Sequence, residues 1–179
     1  MPVAAWSFNT PGSTDGWAGF ANTPGVAQVA SPSLDGQGAL QVTPTTALWS
    51  VNVVTASIPA LLAASRLLVV SAWVLAPAAS SLFLAVQLYT AAGAAVGSEV
   101  GVAAPVAAGG VWTAVSGGML IPPGAGDAAR VEVRLGSADL LGVHYVDDVE
   151  VNAVPRGVPR TAAGGPVQVK VGSSYVRVT

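Results

Sequence analysis

The first candidates for chemistry in this sequence are two adjacent aspartates, Asp147 and Asp148, within a strand-like segment that runs from Val143 to Val151. Alternation gives Asp147 the same parity as Val149 and Val151, which predicts that its carboxylate points towards the core. A buried carboxylate is costly unless charged partners, hydrogen-bond donors or a metal ion satisfy it. A hard cation with oxygen ligands, calcium in particular, is one such solution.

The other ligands of such an ion would come from a tight loop and from the end of the first strand. The glycine-containing loop Leu34–Leu40 carries Asp35, and Asn9 closes the first strand nearby in the expected topology. We therefore predict a calcium site formed by Asp147, Asn9 and Asp35. The alternative is that Asp147 caps a turn or accepts backbone N–H groups without a metal ion.

A second group of residues combines aromatic rings with polar groups. Where alternating apolar residues of three strands face the core, Trp73, Gln87, Tyr89 and Arg134 face the opposite way. Aromatic planes stack on the CH faces of sugar rings, while amide and guanidinium groups fix the hydroxyls. These four residues are predicted to bind carbohydrate. The alternative is that a second layer or a partner subunit covers them.

Patterns for catalysis are weak in this sequence. Glu99, Glu132, Asp148 and Glu150 show no spacing that pairs two carboxylates across a cleft, as a glycosidase requires. His144 is the one histidine, and the sequence contains no nucleophile-elbow motif, P-loop or dinucleotide fingerprint. We predict that the protein is not an enzyme.

Composition excludes several classes of partner. Only 9% of the 179 residues are charged and the net charge is −2, which argues against nucleic acid as a partner. There is no cysteine for a disulfide framework or a zinc knuckle. The uncharged stretch Leu67–Ser98 is interrupted by Pro77, and the N-terminus lacks the pattern of a secretion signal. We expect neither membrane insertion nor a signal peptide.

The elements that must position these residues are strands. Period-two alternation bounded by Gly, Pro and Ser predicts an all-β fold, a two-sheet antiparallel sandwich over residues 1–153. The run Ile58–Ser65 is expected to form at most one turn of helix. A Pro/Gly-rich linker is predicted at 154–165. The clearest strand patterns lie at 49–54, 68–75, 82–89, 130–135 and 143–151.

The last segment, 166–179, predicts a β-hairpin turning at Gly172-Ser173. Because an isolated hairpin is marginal in water, its valine face should dock on the sandwich or on another chain. We interpret the hairpin as an anchoring or assembly element, and the alternative is a frayed tail. The valines that would pair on one face are Val167 with Val178 and Val169 with Val176.

The order of the segments resembles the calcium-containing β-jelly-roll carbohydrate-binding modules that are appended to xylanases and endoglucanases. The resemblance covers residues 4–152 and implies a jelly roll, a calcium ion near Asp147 and a glycan on a concave face. Asn9 departs from the pattern, because that family usually has an acidic residue there. The matching segments are Trp6–Phe8, Asp15–Trp17, Gly36–Val42, Leu68–Val74, Gly110–Gly117 and His144–Val151.

The tail Val167–Val178 is similar to short hairpins near the ends of minor tail proteins in phages of actinobacteria. Together the two resemblances predict a phage virion surface protein, a minor tail or decoration component, that binds host or environmental glycans and forms homo-oligomers. The first alternative is a purely structural virion protein whose jelly roll packs against neighbouring subunits. A secreted glycanase accessory module is a third hypothesis.

Overall fold

The computed structural model describes residues 2–22, 25–55, 65–103, 106–107, 109–121, 128–138, 142–155, 167–171 and 174–178. Most of the helix-like run, most of the linker and the Gly172-Ser173 turn lie outside these residues. The described part contains no helix long and apolar enough to cross a membrane. Its strands are β1 (Pro2–Trp6), β2 (Ala18–Ala21), β3 (Gly25–Val29), β4 (Ala39–Thr43), β5 (Trp49–Val54), β6 (Ser65–Leu75), β7 (Ser80–Thr90), β8 (Ala95–Ala103), β9 (Val106–Ala107), β10 (Thr113–Leu120), β11 (Ala128–Ser137), β12 (His144–Pro155), β13 (Val167–Val171) and β14 (Ser174–Val178).

The first twelve strands form two antiparallel sheets. Sheet I has the order β10-β6-β12-β4-β3, and β1 also pairs with β12. Sheet II has the order β2-β5-β11-β7-β8, and β9 also pairs with β7. The predicted all-β sandwich is confirmed, and the five clearest strand patterns correspond to β5, β6, β7, β11 and β12.

The core lies between the two sheets and consists of the alternate residues that the periodicity selected. Every second residue of β6, β7 and β11 is buried, and both Trp17 and Trp49 are buried with them. Each fully buried aliphatic side chain stabilises the fold by about 1.5–3 kcal/mol. The central residues on these three strands are Leu68, Val70, Ala72, Val74, Leu82, Leu84, Val86, Leu88, Val131, Val133 and Leu135.

The prediction that Asp147 points towards the core was wrong, and a β-bulge in β12 explains why. The pairing of β12 with β6 shifts between Asp147 and Glu150, and Asp148 has a left-handed backbone with φ of 49°. An extra residue in a strand exchanges the two faces beyond it. Val149 therefore faces the core, whereas Asp147, before the bulge, is on the outer side of sheet I. His144 takes the core side, fully buried, with its ring centroid 4.7 Å from that of Trp49.

The C-terminal hairpin has the predicted register. Val167 pairs with Val178 and Val169 pairs with Val176 in the two-stranded sheet of β13 and β14. This confirms the pairing that the Gly172-Ser173 turn predicts. The docking of the valine face and the role of these four valines in assembly stay predictions.

Candidate functional site

The outer face of sheet II is organised around one buried carboxylate, Glu132 on β11, which is 2% exposed. Its Oε2 accepts hydrogen bonds from the Tyr89 hydroxyl at 2.6 Å and from Arg134 Nη2 at 3.1 Å. Its Oε1 accepts from Arg134 Nε at 3.0 Å and from the Asn52 amide. A carboxylate offers about four lone-pair positions, so these donors occupy them all. Glu132 therefore fixes its neighbours and has no acceptor position left for a ligand.

The network also sets the charge states on this face. Burial disfavours the charged form of Glu132, but the hydrogen bonds from Arg134, Tyr89 and Asn52 outweigh it and lower the pKa of this carboxyl. The pKa of Tyr89 is raised, chiefly because its hydroxyl donates to Glu132. At neutral pH the face thus holds an ionised Glu132 beside a neutral phenol.

Arg134 links the carboxylate to the exposed part of the face. Its guanidinium also forms an ion pair with Glu99 on β8. The guanidinium carbon lies 3.9 Å from the centre of the Phe20 ring on β2, which is 47% exposed. Because Arg134 bonds two carboxylates, its charge is compensated twice. The arrangement offers ring faces and fixed dipoles, and it carries no free cation at Arg134 for an acidic ligand.

Gln87 belongs to this face, but its side chain is buried and stabilises the backbone of the sheet. It lies opposite Glu132 in the pairing of β11 with β7 and is buried. Its Nε2 donates to the carbonyl of Leu88 at 2.9 Å, with the carbonyls of Val96 and Gly97 at 3.4 Å. The side-chain amide nitrogen is therefore directed at backbone carbonyls of β7 and β8, where the ladder is irregular. Gln87 holds the edge of sheet II in place.

Trp73 does not share this surface, which corrects the expected group of four residues. It lies on β6 in sheet I, between Ala114 of β10 and Asp147 of β12. Tyr89 and Arg134 lie on sheet II. Because both groups point away from the core, they are on opposite faces of the sandwich. Alternation gives the parity of a residue, but the sheet to which a strand belongs depends on topology.

The residues that complete the sheet II face were not selected from the sequence. Asn52, Glu99 and Phe20 reach the network from three different strands. Glu132 had a weak signal, since it shares the parity of Arg134 on one strand and therefore lies on the same face. Phe20 had none, because β2 has only four residues and no clear alternation.

Asp147 lies in a second cluster, beneath the loop that follows β3. Its Oδ2 accepts the Leu34 N–H at 2.9 Å and its Oδ1 accepts the Asp148 N–H at 2.8 Å. It is 2% exposed, and burial raises the pKa of this carboxyl despite the two N–H donors. The neighbouring charges of Asp35 and Asp148 raise it further. The alternative predicted for Asp147, an acceptor for backbone N–H groups, describes these contacts.

Two features where the loop meets the segment that follows β1 fit a hard cation. The Oδ1 atom of Asn9 is buried and has no hydrogen-bond partner. A Cβ at Gly38 would lie 2.4 Å from the carbonyl oxygen of Phe8, so the loop packs closely against the segment that follows β1. No group of three His, Asp or Glu side chains in the described ranges is placed to hold a metal ion. The fit rests on Asn9 Oδ1 and the carboxylates of Asp147 and Asp35, an all-oxygen set of the kind that calcium takes.

Comparisons with known proteins agree on the fold. No protein-family model and no curated protein matches the chain. The CBM22-1 xylan-binding domain of Paenibacillus barcinonensis Xyn10C matches with a TM-score of 0.66 and 19% identity, over 87% of this chain and 96% of that one. The CBM22-1–GH10 modules of Clostridium thermocellum Xyn10B, complexed with xylohexaose, match with a TM-score of 0.67 and 16% identity, over 85% and 28%.

A bacteriophage protein has a more distant likeness. The enzymatically active domain of bacteriophage CBA120 tailspike protein 4 matches with a TM-score of 0.58 and 13% identity, over 79% of this chain and 20% of that one. At these identities the comparisons show the fold, the jelly-roll β-sandwich of carbohydrate-binding modules. Function must be argued from the site.

Proposed function

We propose that this chain is a non-catalytic module that binds a neutral glycan on the outer face of sheet II. The observation that carries the proposal is the Glu132 network, which fixes Tyr89, Arg134 and Asn52 beside the exposed ring of Phe20. Sugar recognition needs rigid polar groups beside an aromatic plane. The neighbouring structures described as xylan-binding support this choice of ligand class.

The charge states of the face favour binding over hydrolysis. A glycosidase needs a carboxyl group that is kept protonated, with a raised pKa, to act as the acid. The pKa of Glu132 is lowered, and both Glu132 and Glu99 are held by the same arginine. Glu132, the buried carboxylate of this face, is therefore not suited to donate a proton to a glycosidic oxygen.

Removing the Tyr89 ring from this face should abolish most of the affinity for the glycan. We expect Tyr89→Ala to weaken binding of xylohexaose, measured by titration calorimetry, by roughly tenfold or more, about 1.4 kcal/mol. The matched control is Trp73→Ala, which removes a larger ring from the opposite face and should leave the affinity unchanged. Equal losses in the two variants, or a loss in the control alone, would contradict the placement of the site.

We further propose that the module serves on a virion surface as a minor tail or decoration component. The tailspike likeness and the similarity of the C-terminal hairpin to those of phage tail proteins support this second step. A glycan-binding virion protein needs the sheet II face open in the assembled state, whereas a purely structural one would bury it. Hydroxyl-radical footprinting of Phe20 and Tyr89 in purified particles separates the two, because only an open face leaves both rings reactive.

We also propose a structural calcium ion held by Asp147, Asn9 and Asp35. Bound calcium would neutralise the carboxylates beneath the loop and engage the unpartnered Asn9 oxygen. A ligand present at about 100 times its Kd stabilises the folded state by about 2.7 kcal/mol. We therefore expect millimolar calcium to raise the Tm of the wild-type protein by several degrees.

Asp147→Asn should abolish that calcium response, while magnesium at the same concentration should have little effect on either protein. Differential scanning calorimetry with and without a chelator measures both. An identical Tm in calcium and in chelator for the wild-type protein would show that Asp147 is satisfied by the N–H groups of Leu34 and Asp148 alone.

A further inference from the structure

Strand β10 is one edge of sheet I, and within the described residues it lacks the protection that edge strands usually have. Among the described strands it pairs only with β6, in an unbroken register from Thr113 to Leu120. Those eight residues contain no charge and no proline. A long, regular, uncharged edge is a template on which another strand can pair.

The other described strands of sheets I and II that have an unpaired side are protected in recognisable ways. Strands β1, β2, β3 and β9 have five residues or fewer. Strand β8 is longer, but it carries Glu99 and its register shifts twice along β7. Short length, charge and bulges are the usual protections of sheet edges. Strand β10 is thus the edge that needs a cover.

The C-terminal hairpin lies near this edge, as does β8 of sheet II. Cα atoms of β14 come within 8 Å of Cα atoms of β10. Strand β14 pairs with β13 on one side, which leaves its other side for a further strand. Its five residues, Ser174–Val178, would span about 17 Å of the edge at 3.4 Å per residue.

The chain can make this connection within one molecule. Strand β12 ends at Pro155, which pairs with Ser65 at the start of β6, and Leu67 of β6 pairs with Leu120 of β10. Two strand spacings separate β12 from β10, and because β14 and β13 would lie beyond β10, the linker from β12 to β13 crosses four spacings, about 19 Å. The eleven residues 156–166 reach at most about 40 Å when extended. Nothing in this geometry requires a second copy.

We propose that the hairpin β13–β14 caps the free edge of β10 in its own chain, with β14 pairing along β10. The hairpin then acts as a guard that keeps the sandwich from associating edge to edge. This role is opposite to the predicted assembly role, because loss of the hairpin should promote association and its presence should prevent it.

The test uses the full chain with Val176→Pro, since proline cannot take part in a strand ladder. The matched control is Val176→Thr, which keeps a β-branched residue. Hydrogen–deuterium exchange should be slow in β10 of the wild type and the control at every protein concentration. It should be about tenfold faster in the proline variant, because edge amides lose their partner. Sedimentation should show that this variant associates as its concentration rises.

Adding Ala114→Lys to the proline variant places a charge on an exposed position of β10 and should restore the monomer. Circular dichroism confirms that each variant is folded. Unchanged exchange in β10 of the proline variant would overturn the proposal. Protection in the wild type that grows with concentration would assign the edge to a second copy. A wild-type oligomer that Val176→Pro converts to a monomer would also overturn it, in favour of assembly.

Discussion

Replacing Glu132 with alanine should destabilise the fold by about 3 kcal/mol, the lower end of the range for breaking a buried ion pair. The lower end applies because the Arg134 side chain is 19% exposed to solvent and would keep its ion pair with Glu99 in the variant. The loss arises because the Tyr89 hydroxyl and the Asn52 amide each lose an acceptor. Urea unfolding of the wild type and the variant measures the difference in free energy.

Glu99→Ala is the matched control, because it removes the other carboxylate that bonds Arg134. The Glu99 side chain is 38% exposed, so its ion pair should contribute only about 0–1 kcal/mol. A similar loss of stability in both variants would show that Glu132 is not the organising group. Binding of xylohexaose should fall in Glu132→Ala although Glu132 itself has no free acceptor position.

The same carboxylate predicts a pH dependence with a definite sign. The pKa of Glu132 in the folded protein lies below its ordinary value of 4.5. Its contribution to stability is therefore full above that value and is lost as the pH falls through the lowered pKa. The free-energy difference between wild type and Glu132→Gln should shrink below pH 4.5. A difference that stays constant down to pH 2 would contradict the network.

Gly136→Ala should produce the second large effect, a loss of about 1–3 kcal/mol or more from overpacking. A Cβ at this position of β11 would lie 2.2 Å from the Trp49 carbonyl oxygen and 2.4 Å from Cζ of the Phe83 ring. The ring could turn away, but the carbonyl belongs to the paired backbone of β5. An alanine at position 136 must therefore push the backbones of β11 and β5 apart in sheet II. Thermal and urea unfolding measure the loss.

Gly101→Ala is the control for that substitution. Gly101 lies in β8 of the same sheet, and nothing lies within 4 Å of a Cβ placed there. Alanine should be neutral or slightly stabilising at this position, since it lowers the entropy of the unfolded chain. If Gly136→Ala were as stable as Gly101→Ala, the close approach of β5, β7 and β11 around Phe83 would be wrong.

The sequence was sufficient for the strands, the core and the hairpin register, because these depend on local alternation and turn chemistry. Every second residue from Leu68 to Val74 and from Leu82 to Leu88 faces the core, as the parity requires. Val169 pairs with Val176, the register that the predicted two-residue turn requires. Such features need no knowledge of which strands are neighbours.

The errors arose where one residue or the topology changed the outcome. A single bulge residue, Asp148, exchanges the faces of β12, and no local pattern marks it. Trp73 shares the parity of Tyr89 in the sequence, but β6 and β7 belong to different sheets. The Glu132 network joins β5, β7 and β11, and Arg134 extends it to β2 and β8. It could be seen only once those strands were placed side by side.

The central claim is that a neutral glycan binds on the outer face of sheet II, and a chemical-shift map of the bound state tests it most directly. The experiment titrates xylohexaose into isotope-labelled full-length protein and follows the amide and indole resonances. We predict shifts that cluster on Phe20, Asn52, Tyr89 and Arg134 and leave the Trp73 indole unchanged. Shifts centred on Trp73 and the outer face of sheet I, or no shifts at saturating ligand, would contradict the account.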